Sequence, residues 1–185
     1  VIKDEIKSKK LDHGHTLAGN VNQEIVLESN FASQSGLLKF LANGVSTWIK
    51  TIDKKQIKNF KITSSWIVRQ FQYEYNPIHG HSGHISGVGY LKVPKDFGET
   101  FQNNKINLNG KISFVHGSRQ FLSNNVLTIS PAVGDFYLFP HYLSHMVYPF
   151  FNKNNDERRS ISFNAKIDEN NYDVYGGKAD GGKEN

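Results

Sequence analysis

The chain has 185 residues, 37% of them hydrophobic and 21% charged, with a formal net charge of +5 and no cysteine. That length and balance fit one folded domain and exclude a chain disordered by composition. The missing cysteines exclude disulfides and thiolate metal sites, so any metal must take His, carboxylate or other oxygen ligands.

The positive charge is spread thinly, with adjacent lysines at Lys9-Lys10 and Lys54-Lys55 rather than a basic stripe set with aromatics. This is no strong nucleic-acid signal. No apolar run is long enough to span a bilayer and no secretory pattern opens the chain. The expected compartment is the cytoplasm, and the expected partner is an unidentified small molecule or peptide.

Residues 1–32 are polar and show no clean period. They carry a His13-x-His15 pair that reads as an exposed segment. From Ser33 to Ile57 the apolar residues Leu37, Leu38, Leu41, Val45, Trp48 and Ile49 recur at three and four, which predicts a helix weakened by Gly36 and Gly44. Its apolar stripe should pack on a sheet, with Trp48 in the core.

From Phe60 the period becomes two, over Phe60, Ile62, Trp66 and Val68. The aromatic alternation moves to odd positions at Phe71, which predicts a bulge near Arg69-Gln70. Further strands are expected at Ile85–Val93, Lys105–Leu108, Lys111–His116, Val126–Ile129, Phe136–Phe139, Ser144–Phe150 and Ser160–Ile167, with an Asn109-Gly110 hairpin between the second and third. Many short strands after one helix predict a mainly β protein, a double-stranded β-helix or jelly roll. The expected layout is a single domain over 1–185, with its core at about 60–167 and a frayed tail at 176–185.

The most informative stretch is Asn76-Pro77-Ile78-His79-Gly80-His81-Ser82-Gly83-His84. A His-x-His pair in extended chain projects both rings to one face, where they can share a metal ion. His145 is the best third ligand and His84 a reserve. Glu74 is a nearby carboxylate, but it lies in the preceding strand. The competing explanation is a polar turn that happens to be histidine-rich.

Three pieces, in this order and spacing, carry a resemblance over about Trp66 to Asn164. They are His79-x-His81 followed by Ser86-Gly87-Val88-Gly89-Tyr90-Leu91; Gly134…Phe139-Pro140…His145-x-Val147; and Arg159-x-Ile161-Ser162-Phe163-Asn164. Together they resemble the Fe(II)/2-oxoglutarate-dependent oxygenases, in a prolyl-hydroxylase-like branch with a His-x-His motif. The resemblance implies a dioxygenase that hydroxylates a substrate C–H bond. It implies Fe(II) on His79, His81 and His145, and 2-oxoglutarate as co-substrate. It also implies Arg159 as the partner of the far carboxylate, with Tyr90 supplying a hydroxyl. Arginine's planar fork suits that carboxylate. Arg158 is the adjacent alternative but should point to the opposite face, and a surface ion pair with Asp156 or Glu157 is the plainer explanation of Arg159.

His81 stands where most of the superfamily has an acid. Two other readings stay open: a cupin-type metal protein independent of 2-oxoglutarate, and a non-catalytic jelly-roll binding module. A cupin would normally place Glu four or five positions after His81, where Ile85 and Ser86 stand.

Overall fold

Alternation along the last strand decides how the molecule is layered. In β9 (Arg158–Ile167), Ile161, Phe163, Ala165 and Ile167 are buried on one face, while Ser160, Ser162 and Asn164 share the other. The apolar face receives a helix and the polar face lines a cavity. A computed structural model gives this arrangement and describes residues 11–172 apart from 101 and 103.

Among the described residues, nine strands form two antiparallel sheets. The first has the order β1 (Gln23–Val26), β2 (Phe60–Gln70), β9, β4 (Ile85–Lys92), β7 (Phe136–Pro140). The second has the order β3 (Asn76–His79), β8 (Ser144–Val147), β5 (Ile112–Val115), β6 (Val126–Ile129). Consecutive strands repeatedly fall in different sheets, as a jelly roll requires. One core cluster lies between the sheets, built from Val88, Tyr90, Ile112, Phe114, Phe139 and Val147.

The predicted helix is two: α1 (Ser29–Gln34) and α2 (Leu37–Asp53). Gly36 separates them at φ 79°, a left-handed conformation that glycine adopts without penalty. Leu41 and Val45 of α2 are almost fully buried against Ile85, Phe163, Ala165 and Ile167, on the outer face of the larger sheet. Trp48 and Ile49 pack beside them, as the periodicity predicts. A short α3 (Glu169–Tyr172) follows β9.

Four local expectations change. The register shift in β2 falls between Ile62 and Ser64 rather than at Arg69-Gln70, and the strand runs on through Gln70 because β9 pairs with it to that residue. Residues 105–108 form no strand, so Asn109-Gly110 joins no hairpin; Gly110 N–H instead donates to Pro149 O at 3.1 Å. Strand β1 arises from the polar N-terminal region, pairing Gln23–Val26 with Arg69–Trp66. The expected tail at 176–185 lies outside the described residues. No helix among the described residues is long and apolar enough to cross a membrane.

Candidate metal centre and its cavity

His79 ends β3, and its register partner on β8 is His145, so strand pairing alone sets two imidazoles side by side with ring centroids 4.3 Å apart. His81 lies beyond the strand, in the turn that carries the chain from the smaller sheet to the larger one. The backbone is fixed there by His81 N–H donating to His141 O at 3.0 Å and His84 N–H donating to Ala165 O at 2.8 Å. The expected extended His-x-His pair is therefore half right. The two rings meet at one point, but Gly80 and the turn bring them together rather than a continuous strand.

One ligand nitrogen from each of His79, His81 and His145 falls within 4.8 Å of the other two. His81 Nε2 and His145 Nε2 are 3.1 Å apart. Metal–imidazole bonds of about 2.0–2.1 Å place neighbouring ligand nitrogens ~3 Å apart, so the spacing fits a shared ion. His79 Nδ1–H donates to Pro77 O at 2.7 Å, and His145 Nδ1–H donates to Leu143 O at 3.0 Å. A carbonyl only accepts, so both rings keep the proton on Nδ1 and present Nε2.

Burial, then the charges of His145, His79 and His141, push His81 down to about 3. Burial likewise pushes His145 down to about 4, with His79 adding to the effect against a backbone hydrogen bond that opposes it. Both are neutral at pH 7, the form a metal needs.

His84 and Glu74 are committed elsewhere. His84 Nδ1 accepts the Ile167 N–H at 3.1 Å, and its Nε2 lies 3.5 Å from Glu169. Glu74 accepts from the Phe71 N–H and from Asn22.

The triad lines a cavity of about 380 Å³, together with Trp66, Phe139, Ser160, Asn164 and Arg158. Here the arginine assignment changes. Arg159 shares the strand face of Ile161 and Phe163, and its Nε and Nη2 donate to both oxygens of Glu157 at 2.7 and 2.6 Å. Arg69 Nε donates to Glu157 as well, at 2.6 Å. Burial tends to raise Glu157, but hydrogen bonds from Arg159 and Arg69 and their charges outweigh it and hold the carboxyl at about 2. Arg159 is thus the ion pair named as its plainer alternative, and it does not line the cavity.

Arg158 does. It is 1% exposed, donating from Nη1 to Gln70 Oε1 at 3.1 Å and from Nη2 to the Tyr90 hydroxyl at 3.3 Å, with its guanidinium 4.8 Å from the Tyr90 ring centre. Burial presses its pKa down, and Tyr90 works the other way. Nε has no partner, and among the described residues no carboxylate forms an ion pair with Arg158. Tyr90 itself does not line the cavity; it stands behind Arg158. Gln70 is fully buried and tied by Nε2 to the carbonyls of Glu74 and Tyr148, which fixes the oxygen that faces Arg158.

Residues 64–164, more than half of the chain, match the family model described as "Putative 2OG-Fe(II) oxygenase". The chain belongs to that 2OG-Fe(II) oxygenase family.

Solved oxygenases are similar to it at low identity. An oxidoreductase of the 2OG-Fe(II) oxygenase family from Burkholderia pseudomallei is 15% identical over 77% of this chain and 66% of its own, with a TM-score of 0.51. A Trichoplax adhaerens prolyl hydroxylase, solved with a hypoxia inducible factor oxygen degradation domain peptide fragment, is 14% identical over 83% and 66%, also at 0.51. A Pseudomonas putida prolyl-4-hydroxylase is 16% identical over 77% and 71%, at 0.49. This chain thus spans about two thirds of the length of the first two. No curated protein matches the sequence.

The donors present fit what an oxygenase of this family holds. Three imidazoles converge where Fe(II) would bind, and a buried cation with a spare N–H lines the same cavity, where a dicarboxylate would need one. The sequence reading set Arg158 aside as the adjacent alternative to Arg159, although the pattern that favours it was present. Ser160, Ser162 and Asn164 are the polar face of β9, and Arg158 shares their parity. It also missed Glu24 of β1, which lines the cavity with Oε2 unpartnered. Burial, and secondarily the charge of Asp12, push Glu24 up to about 7.

Proposed function

We propose that this protein is an Fe(II)- and 2-oxoglutarate-dependent oxygenase that hydroxylates a C–H bond of a small molecule or peptide. His79, His81 and His145 hold the iron, and Arg158, rather than Arg159, receives the far carboxylate of 2-oxoglutarate. The carrying observation is Arg158 itself, a fully buried arginine with an orphan Nε and, among the described residues, no carboxylate partner, lining the same cavity as the three imidazoles. A buried cation of this kind is costly unless an anion completes it. When bound, iron would activate dioxygen as the oxidant, one atom of O2 entering the substrate as hydroxyl and the other entering succinate as 2-oxoglutarate loses CO2.

The chain's own residues bind and orient. Pro77 and Leu143 carbonyls fix the histidine tautomers, Gln70 and Tyr90 fix the guanidinium, and Trp66 and Phe139 line the wall beside His81. An all-nitrogen ligand set leaves the site one negative charge short of the usual two-His, one-carboxylate arrangement. The cysteine-free composition suits a reducing compartment such as the cytoplasm.

The test is anaerobic titration of the Fe(II) protein with 2-oxoglutarate, followed by its metal-to-ligand absorption band. Arg158→Ala should weaken co-substrate binding ~30-fold or more, from loss of a charge-assisted pair worth roughly 2–5 kcal/mol. Fe(II) binding should persist, and Arg158→Lys should recover only part of the loss. Arg159→Ala should leave the band unchanged. A wild type with no band at millimolar co-substrate overturns the oxygenase reading in favour of a metal protein of another kind.

A further inference from the structure

Glu24 has no part in holding iron or co-substrate, yet it is 1% exposed, lines the cavity, and leaves Oε2 without a hydrogen-bond donor. Its backbone is clamped. Glu24 N–H donates to Asp12 Oδ1 at 3.2 Å, and Glu24 O accepts from the His13 N–H at 2.9 Å. Asp12 Oδ1 also accepts the Gly14 N–H at 3.0 Å. The segment carrying Thr16, Leu17 and Ala18 forms cavity wall beside the carboxyl. It passes so close that a Cβ at Gly19 would lie 2.9 Å from Glu24 Oε1 and 3.0 Å from both Glu24 Oε2 and Asn76 Nδ2.

Among the described residues no lysine or arginine forms an ion pair with Glu24 or Asp12. The backbone is therefore held in place and the carboxyl left without a basic counter-ion, with Oε2 short of a hydrogen-bond partner that something entering the cavity can supply. Glu24 pairs with Val68 across β1 and β2, and Val68 pairs with Ser160 across β2 and β9. At about 4.8 Å per strand, Glu24 and the Arg158 end of β9 are separated by roughly 10 Å of sheet. The cavity thus has a cation at one side and an acid at the other.

We propose that Glu24 is the recognition group for the substrate, which presents a cationic nitrogen, a protonated amine or a guanidinium. This rests on the oxygenase reading in taking the cavity as the place where substrate meets the metal centre. A cationic N–H makes the charge-assisted bond that Oε2 lacks, and Asp12 adds a second negative charge beside it. Trp66, two residues along β2 from Val68, adds an aromatic ring to the same cavity wall. Leu17 and Ala18 give an apolar surface for the stem that carries it.

The experiment uses n-butylammonium and n-butylguanidinium as probes, with n-butyramide and n-butanol as uncharged comparators. Binding to the Fe(II) protein under anaerobic conditions is followed by ligand-observed NMR, and the Glu24 carboxyl is followed through its own ¹³C signal. The cations should bind at least tenfold more tightly than the comparators and move the Glu24 signal. Glu24→Gln, which keeps the shape and removes the charge, should erase that preference while leaving the iron and 2-oxoglutarate titrations as in wild type. Equal binding of n-butyramide and n-butylammonium to wild type overturns the proposal, as does a Glu24→Gln protein that still prefers cations. If Glu24→Gln fails to fold, the wild-type preference and the movement of the Glu24 signal decide alone. Cation binding at Glu24 without a 2-oxoglutarate band would remove the oxygenase reading and keep this site; a normal band without cation preference would do the reverse.

Discussion

Arg158 and Arg159 are chemically identical neighbours with opposite surroundings, and period-two geometry separates them. Arg158 lines the cavity and finds only neutral partners among the described residues; Arg159 turns to the other face and shares Glu157 with Arg69. Glu157 therefore makes a testable contribution to stability. Its folded pKa of about 2 is depressed from an ordinary value of 4.5, so the folded state binds fewer protons than the unfolded one between those values. The contribution is full above pH ~4.5 and is lost as pH falls towards 2. Urea midpoints measured from pH 6 to pH 2 should fall more steeply for wild type than for Glu157→Gln. At pH 7 the variant should be less stable by about 1.5–3 kcal/mol, the range for hydrogen bonds to charged groups. Parallel profiles would mean that Glu157 is not held ionised by its two arginines. The ion pair was legible in the sequence as the ordinary fate of Arg159. Which arginine enters the cavity also was, because the apolar and polar residues of 160–165 already separate by parity.

At the scale of elements, the turn between β3 and β4 is where sequence and structure inform each other most. Pairing of His79 with His145 could not be read from spacing, because it depends on which strands meet, and that is settled by the whole sheet. The glycines were legible as turn residues, but what each accommodates was not. Gly83 sits at φ 94°, and a Cβ there would lie 2.8 Å from Ala165 O, the oxygen that anchors His84 N–H. Gly83→Ala combines backbone strain with a collision against backbone that cannot swing aside. It should displace the turn and weaken metal binding at least ~10-fold, by the tenfold-per-1.4 kcal/mol rule. Gly117→Ala is the matched control. It too has positive φ, 65°, but meets nothing within 4 Å, so it should cost about 1 kcal/mol of stability and leave metal affinity alone. Equal metal affinity in both variants, by competition with a chromophoric chelator, would show that the turn does not set ligand geometry. Strand β1 escaped the sequence reading for a different reason. It is four residues long and buries a glutamate, and neither feature produces a hydrophobic period.

Across the whole molecule, the ligands come from places that folding must bring together. His79 and His145 belong to the smaller sheet, and His81 lies on the connection that leads into the larger one. The jelly roll was legible because many short strands with Gly, Asn and Pro turns admit few architectures, and the α2 stripe showed which face it covers. A metal bound by all three imidazoles is bound by the folded state far better than by the unfolded chain, so it must raise stability by mass action. At a free concentration of 100 Kd the gain is about 2.7 kcal/mol. For a chain of this size each kcal/mol moves the midpoint by roughly 2–4 °C, so thermal unfolding should shift upward by roughly 5–10 °C. Co(II) serves as an air-stable probe, and a chelator should reverse the shift. His79→Ala and His145→Ala should each lose most of it, since either leaves two ligands. Leu41→Ala, in the cluster under α2, should cost about 2–5 kcal/mol of stability yet keep the full metal-dependent increment, because its cavity opens on the far side of the larger sheet. A shift that persists in His145→Ala would place the ion elsewhere and remove the triad from the site. A shift that disappears in Leu41→Ala would mean that the outer helix layer and the metal centre are coupled, contrary to their separation by the sheet.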